Sequence, residues 1–167
     1  MEIFKDMTIL SLEQATTLPY LTYRLAQDGM NVIRVEHPIY GDPNRMIGEN
    51  FLKEERMNAY YLCINAGKRA ITLNLAEEKG KGLLKELITK LKVDIFATNQ
   101  LPRNYAKLGV DYETLKGIKA DIIWLGMTGF GPDSNEAAYE PILEARSGLM
   151  DLTGEAVGNP QSLGTLG

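Results

Sequence analysis

The chain has 167 residues, 44% of them hydrophobic, which is enough for one domain with a genuine core. Its 18 lysines and arginines against 22 acids give a net charge of −4, which argues against general affinity for nucleic acid and for a soluble protein. A lone cysteine, Cys63, excludes an internal disulfide and a multi-thiolate metal site. No run approaches 18 apolar residues and no leader pattern opens the chain, so no membrane role and a cytoplasmic location are expected.

Thr8 to Leu12 reads as a short apolar strand. The loop Glu13–Thr17 leads into a helix over Leu18–Gln27, with Thr17 as N-cap, Pro19 in the first turn and Gly29 as the stop. Leu18, Leu21 and Leu25 share one face of it. Asn31 to Glu36 is the second strand, so the opening is a β-α-β unit with a right-handed crossover. Its first loop contains no glycine, and no Walker motif occurs anywhere, which argues against NAD or ATP bound in the usual manner.

Residues 37–58 are polar and form a long loop, and long loops in compact domains tend to be functional. Cys63, among Tyr60, Tyr61, Leu62 and Ile64, reads as a small core residue. Asn65 to Leu75 combines a glycine turn, the cations Lys68 and Arg69, and an alternating strand through Ile71, Leu73 and Leu75. A point charge beside a planar fork suits a phosphate, while a solvated surface turn explains the same residues equally well.

Glu77 to Lys92 is the clearest helix, with Leu83, Leu84, Leu87, Ile88 and Leu91 facing inward and the pairs Glu77–Lys81 and Glu86–Lys90. Val93 to Thr98 is a strand, and Arg103 and Lys107 share one face of a short helix beginning near Pro102. Asp111 caps a helix over Tyr112–Ile118. Asp121 to Met127 is a further strand, and Glu140 to Met150 a helix with Ile142, Leu143 and Leu149 inward. Strands alternating with helices mean an α/β fold, Rossmann-like, with a mostly parallel sheet flanked by helices.

Ligands of such sheets bind beyond the carboxyl ends of the strands. That rule selects Glu13 to Thr17, Glu36-His37, Asn74-Leu75, Asn99 to Lys107 and Thr128 to Pro132. Lys68 precedes its strand and falls at the opposite end, unless that strand runs antiparallel.

Ile9 to Leu12 followed by Pro19, Asp28-Gly29, Val32 to Glu36, Gly41-Asp42, Asn65 to Leu75, Asp94 to Asn99, Leu108-Gly109, Tyr112, Gly126 to Pro132, Ser147 to Met150 and Thr153-Gly154 occur in a telling order. In that order and spacing the chain resembles the N-terminal part of the family III CoA-transferases. That group includes formyl-CoA and carnitine CoA-transferases and, as a divergent branch, the 2-methylacyl-CoA racemases. The resemblance implies the first part of the large domain of an interlocked dimer, in a protein well over twice this length. The tail punctuated by Gly154, Gly158, Pro160, Gly164 and Gly167 fits a fragment, expected to self-associate alone.

The resemblance also implies coenzyme A or an acyl-CoA as substrate, a carboxylic acid as acceptor and no metal. CoA's adenosine and phosphates would be held by Ala15, Thr16, Thr17, His37, Lys68, Asn99, Gln100 and Lys107, with Arg103 on the same helix face. His37 stands where relatives often carry arginine, and Gln100 where phenylalanine is more usual. The family's nucleophile is an aspartate that attacks the acyl thioester, and the register places it a few residues past Gly167. Asp151 does not match it, so the chain alone is expected to be inactive. Tyr139 stands where racemases carry a histidine, and tyrosine is a poor base near neutral pH, which weighs against the racemase alternative. A homodimer is the expected assembly, and a non-catalytic CoA-binding subunit in a hetero-oligomer is the other alternative.

Overall fold

The computed structural model describes residues 3–154 and 156–164; Gly167, part of the punctuated tail, lies outside them. The chain divides into two compact units, Met1–Met127 and Thr128–Gly167. No helix among the described residues is long and apolar enough to cross a membrane.

The first unit is a five-stranded sheet of β1 (Thr8–Leu12), β2 (Asn31–Glu36), β3 (Arg69–Thr72), β4 (Ile95–Thr98) and β5 (Ile123–Gly126). The strand order is β3-β2-β1-β4-β5 and every neighbouring pair is parallel. The expected α/β architecture is therefore what forms. β3 runs parallel to β2, with Arg69 opposite Ile33, so no reversal carries Lys68 to the carboxyl end.

Alternation along the strands sorts two apolar layers. Leu10, Ile33, Val35 and Phe96 pack with Leu84 and Ile88 of α3 (Glu78–Lys90) and Leu115 of α5 (Tyr112–Ile118). Ile9, Val32 and Ala97 face the other way, against Leu18, Leu21 and Leu25 of α1 (Thr17–Gln27). The remaining helices of this unit are short: α2 (Ala59–Cys63), and α4 (Tyr105–Leu108) preceded by a single 3-10 turn at Pro102–Asn104. Another 3-10 turn, Pro43–Met46, interrupts the loop expected over residues 37–58.

Several local expectations shift. Thr16, not Thr17, is the N-cap of α1, and no side chain caps that end; Thr17 is the first helical residue. Asp111 does cap α5, accepting from the Thr114 amide at 2.9 Å. Leu83 and Leu91 are exposed, because the inward stripe of α3 is only wide enough for Leu84, Ile88 and part of Leu87. Lys81 pairs with Glu78 rather than Glu77, whose carboxylate accepts from Asn74 instead, while Glu86–Lys90 forms as expected. Cys63 is exposed: α2 turns Tyr61 inward, and two residues on is about 200° around the helix. β3 stops at Thr72, so Leu73 and Leu75 belong to the loop that follows it.

In the second unit the expected helix over Glu140–Met150 is broken at Gly148, whose φ of +78° suits glycine. It becomes α6 (Glu140–Ser147) and α7 (Leu149–Thr153). Ile142 and Leu143 are exposed, and the inward residue is Glu144, which accepts a hydrogen bond from the Ser162 hydroxyl.

Candidate functional site

β1, β2 and β3 step outward in one direction, and the chain then returns to lay β4 on the other side of β1. Such a switch point opens a crevice at the carboxyl ends of the strands. A cavity of about 240 Å³ lies there, on the α3 side of the sheet. Leu12 and Gln14 border it from β1, Val35 and His37 from β2, Leu73 to Ala76 from the loop after β3, and Gln100 from the loop after β4.

The loop after β1 is held rigid. Ala15 has a φ of +60°, a strained value for a residue with a Cβ. Its amide donates to Asp42 Oδ1 at 3.2 Å and its carbonyl accepts from Asn44 Nδ2 at 2.7 Å. The Thr16 hydroxyl meets the Tyr60 hydroxyl at 3.2 Å. Asn99 bridges the switch point itself: its Oδ1 accepts from the Gln14 amide at 3.1 Å and its Nδ2 donates to the Gln14 carbonyl at 2.8 Å.

His37 begins a turn at the carboxyl end of β2. Its Nδ1 accepts from the amides of Ile39 (3.1 Å) and Tyr40 (3.3 Å). Gln100 donates its own amide to the Thr98 hydroxyl at 3.1 Å. Arg103, in the 3-10 turn, and Lys107, on α4, are exposed.

Lys68 sits elsewhere. Its ammonium lies on the α1 side of the sheet with a side chain 1% exposed, and all three protons are committed. They go to Glu13 Oε1 (2.9 Å), the Pro19 carbonyl (2.6 Å) and Asn65 Oδ1 (2.9 Å). Burial pulls its pKa down from 10.5 to about 8, with the Glu13 carboxylate resisting the shift. The structure thus brings His37 and Gln100 to one cavity, sets Asn99 and the 15–17 loop beside it, and turns the Lys68 ammonium to Glu13 and Pro19 rather than into the cavity.

Lys68 belongs to a buried ionic network. At its centre Arg34 projects from β2 with no exposed side-chain surface. Its Nη2 donates to Asp42 at 2.6 Å, its Nε lies 3.1 Å from Glu36 and 3.8 Å from Glu13, and its Nη1 donates to Asn65. Arg45 grips Glu36 with two bonds of 2.8 Å, donates to the Tyr61 hydroxyl at 2.6 Å, and stacks over the Tyr61 ring at 3.8 Å. Burial pushes the Glu36 carboxyl upward, but the Arg45 hydrogen bonds and the two guanidinium charges outweigh it and hold the group below its usual range. Burial likewise raises the Tyr61 phenol to about 12. Three cations meet three carboxylates, which is the condition under which such a cluster can be buried at all. The sequence signal was Arg34, a charge set among Val32, Ile33 and Val35 in a strand covered on both faces.

Residues 4–166 match CoA-transferase family III. The chain belongs to that family. It is 34% identical over 163 residues to mouse succinyl-CoA:glutarate CoA-transferase, covering 96% of this chain and 36% of that protein. It is 31% identical over 164 residues to acetyl-CoA:oxalate CoA-transferase from Acetobacter aceti, covering 96% of this chain and 41% of that one. Among solved structures, a CAIB/BAIF family protein from Brucella suis superposes with a TM-score of 0.85 at 33% identity, over 96% of this chain and 43% of that one. The chain thus spans roughly two fifths or less of the length of these relatives. In this family III chain Asp151 is exposed on α7, and Tyr139, the N-cap of α6, is 72% exposed.

Proposed function

We propose that this chain forms the CoA-holding part of an enzyme that moves CoA from an acyl-CoA donor to a carboxylic acid. The observation that carries the reading is the cavity at the carboxyl ends of β1 to β4, bordered by His37 and Gln100 in a family III chain. The relatives' names point to short dicarboxylic acids such as glutarate and oxalate as acceptors, with succinyl-CoA or acetyl-CoA as donor. On this reading the chain is the first part of a large domain in a cytoplasmic homodimer. The nucleophilic carboxylate is supplied from outside these residues, and the chain's own task is binding and orientation.

Within that task the residues divide by position. His37, Gln100 and the backbone of Ala15 to Thr17 contact the nucleotide end of CoA. The exposed cations Arg103 and Lys107 meet its phosphates, where a charge-assisted contact is worth about 1.5–3 kcal/mol. Asn99 acts through Gln14 by holding the crevice open at a set width. Lys68 acts through Glu13 and so serves as a positioning residue, because its three protons already have partners.

Calorimetric titration with CoA tests the reading. Saturable binding that weakens in Lys107→Ala, together with transfer from succinyl-CoA to glutarate or oxalate by the intact protein, is the expected result. Absence of any CoA binding by correctly folded protein would contradict it.

A further inference from the structure

The cavity is lined by groups that suit only part of a charged ligand. Among the described residues no lysine or arginine lines it. Its polar lining comes from the neutral amides of Gln14, Asn74 and Gln100, set among Leu12, Val35 and Leu73. Glu13 borders it too, but its carboxylate is turned to Lys68 at 2.9 Å and to the Thr22 hydroxyl at 2.7 Å. A phosphate has no cation to meet here, whereas a neutral flat ring has apolar walls and amide donors and acceptors for its edge.

The cavity also carries an aromatic plate. The His37 and Tyr40 rings stand 4.6 Å apart and tilted by 31°, and both residues line the space. The turn that presents them is clamped twice. His37 Nδ1 accepts from the amides of residues 39 and 40, which puts the proton of the neutral ring on Nε2. Arg56 donates to the carbonyls of Ile39 at 3.2 Å and Tyr40 at 2.5 Å. Gly41 makes room for that clamp: at its φ of +61° an added Cβ would stand 2.5 Å from Arg56 Nη2. Arg56 itself sits at φ +58°, a left-handed backbone that persists only where local contacts hold it. These bonds fix the backbone of the turn, and the Tyr40 ring that it presents beside His37 is 76% exposed, left largely uncovered by the protein itself.

We propose that Tyr40, backed by His37, is the stacking plate for a neutral heteroaromatic ring of the ligand, a purine base, whose edge is read by Gln14 and Gln100. This rests on the CoA reading above, adenine being the heterocycle of CoA, and it adds Tyr40 as a specificity-determining residue. Aromatic side chains stack on bases through offset π-faces, and a pre-ordered ring loses little entropy on binding. The phosphates of the same ligand remain outside the cavity, at the surface cations.

The test is calorimetry with three probes: CoA, its nucleotide half adenosine 3′,5′-bisphosphate, and pantetheine. Tyr40→Ala weakens CoA and the bisphosphate about tenfold and leaves the response to pantetheine as in wild type, while Tyr40→Phe binds like wild type. Tyr40→Trp binds at least as tightly, and its indole emission is quenched by the base. A Tyr40→Ala protein that binds CoA with wild-type affinity overturns the plate and leaves the CoA reading standing. Wild-type protein that binds the bisphosphate but not CoA, with the Tyr40→Ala loss intact, keeps the plate and removes the CoA reading. Binding of neither nucleotide overturns both.

Discussion

The Lys68 ammonium lies 2.9 Å from the Glu13 carboxylate, with side chains 1% and 0% exposed. Fifty-five positions of sequence separate them, and the pair ties the turn before β3 to the loop after β1. A motif that reads as a phosphate grip in the sequence is, in the fold, part of the support beneath the crevice. Lys68→Met leaves Glu13 buried with Arg34 as its remaining cation, at 3.8 Å. Breaking such a pair costs about 3–5 kcal/mol. The double variant with Glu13→Gln recovers part of that loss, and chemical denaturation of the four proteins in the cycle measures the coupling.

The same lysine gives a pH signature. Its pKa is about 8 when folded and near 10.5 ordinarily, so between those values the unfolded chain binds the extra proton. The group's contribution to stability therefore rises with pH across that window, by up to about 3 kcal/mol. The stability of wild type minus that of Lys68→Met grows from pH 8 to pH 10.5. A difference that is flat or falls over this range contradicts the buried placement of Lys68.

Glu36 works at the acid end. Its carboxyl is held below the ordinary value of 4.5, so the stability it contributes is present above that pH and is lost as pH falls through the folded value. Arg45→Met removes the two 2.8 Å bonds that oppose burial, raises the folded pKa, and moves the onset of acid unfolding to higher pH. Circular dichroism followed through an acid titration measures the shift, and an unchanged onset would sink the assignment.

Two glycines of α3 separate space from propensity. A Cβ on Gly80 would stand 2.0 Å from the Asn74 carbonyl oxygen, so Gly80→Ala forces the start of the helix away from the loop after β3 and destabilises. Gly82 has nothing within 4 Å of that position, and Gly82→Ala stabilises by about 0.5–1 kcal/mol through helix propensity. Thermal melts of the two variants should move in opposite directions.

How much of this was legible in the sequence follows from what each pattern encodes. β1, β2 and the Asp111-capped α5 were readable to the residue, because local alternation and a capping aspartate state their own boundaries. The rule that ligands sit beyond strand ends selects His37 and Gln100 from the sequence, and both border the cavity at those ends. The partner of Lys68 is not legible there, since a cation beside a glycine turn looks the same whether it meets solvent, a phosphate or a carboxylate 55 positions away. The Arg34 network needed tertiary pairing between β2, the 3-10 turn and α2, which no local period reports. Tyr40 lies in a polar loop whose local pattern gives no sign of the Arg56 clamp on its backbone or of the cavity it borders.

Amide hydrogen exchange of the protein with and without CoA tests the location of the CoA site most directly. Slowed exchange is expected in the loops at the carboxyl ends of the strands, residues 13–17, 37–41, 73–76 and 99–108. The turn at 66–68 and the opposite ends of the strands should be unchanged. Protection centred on that turn instead, or no protection at saturating CoA, would contradict the placement of the CoA site in this crevice.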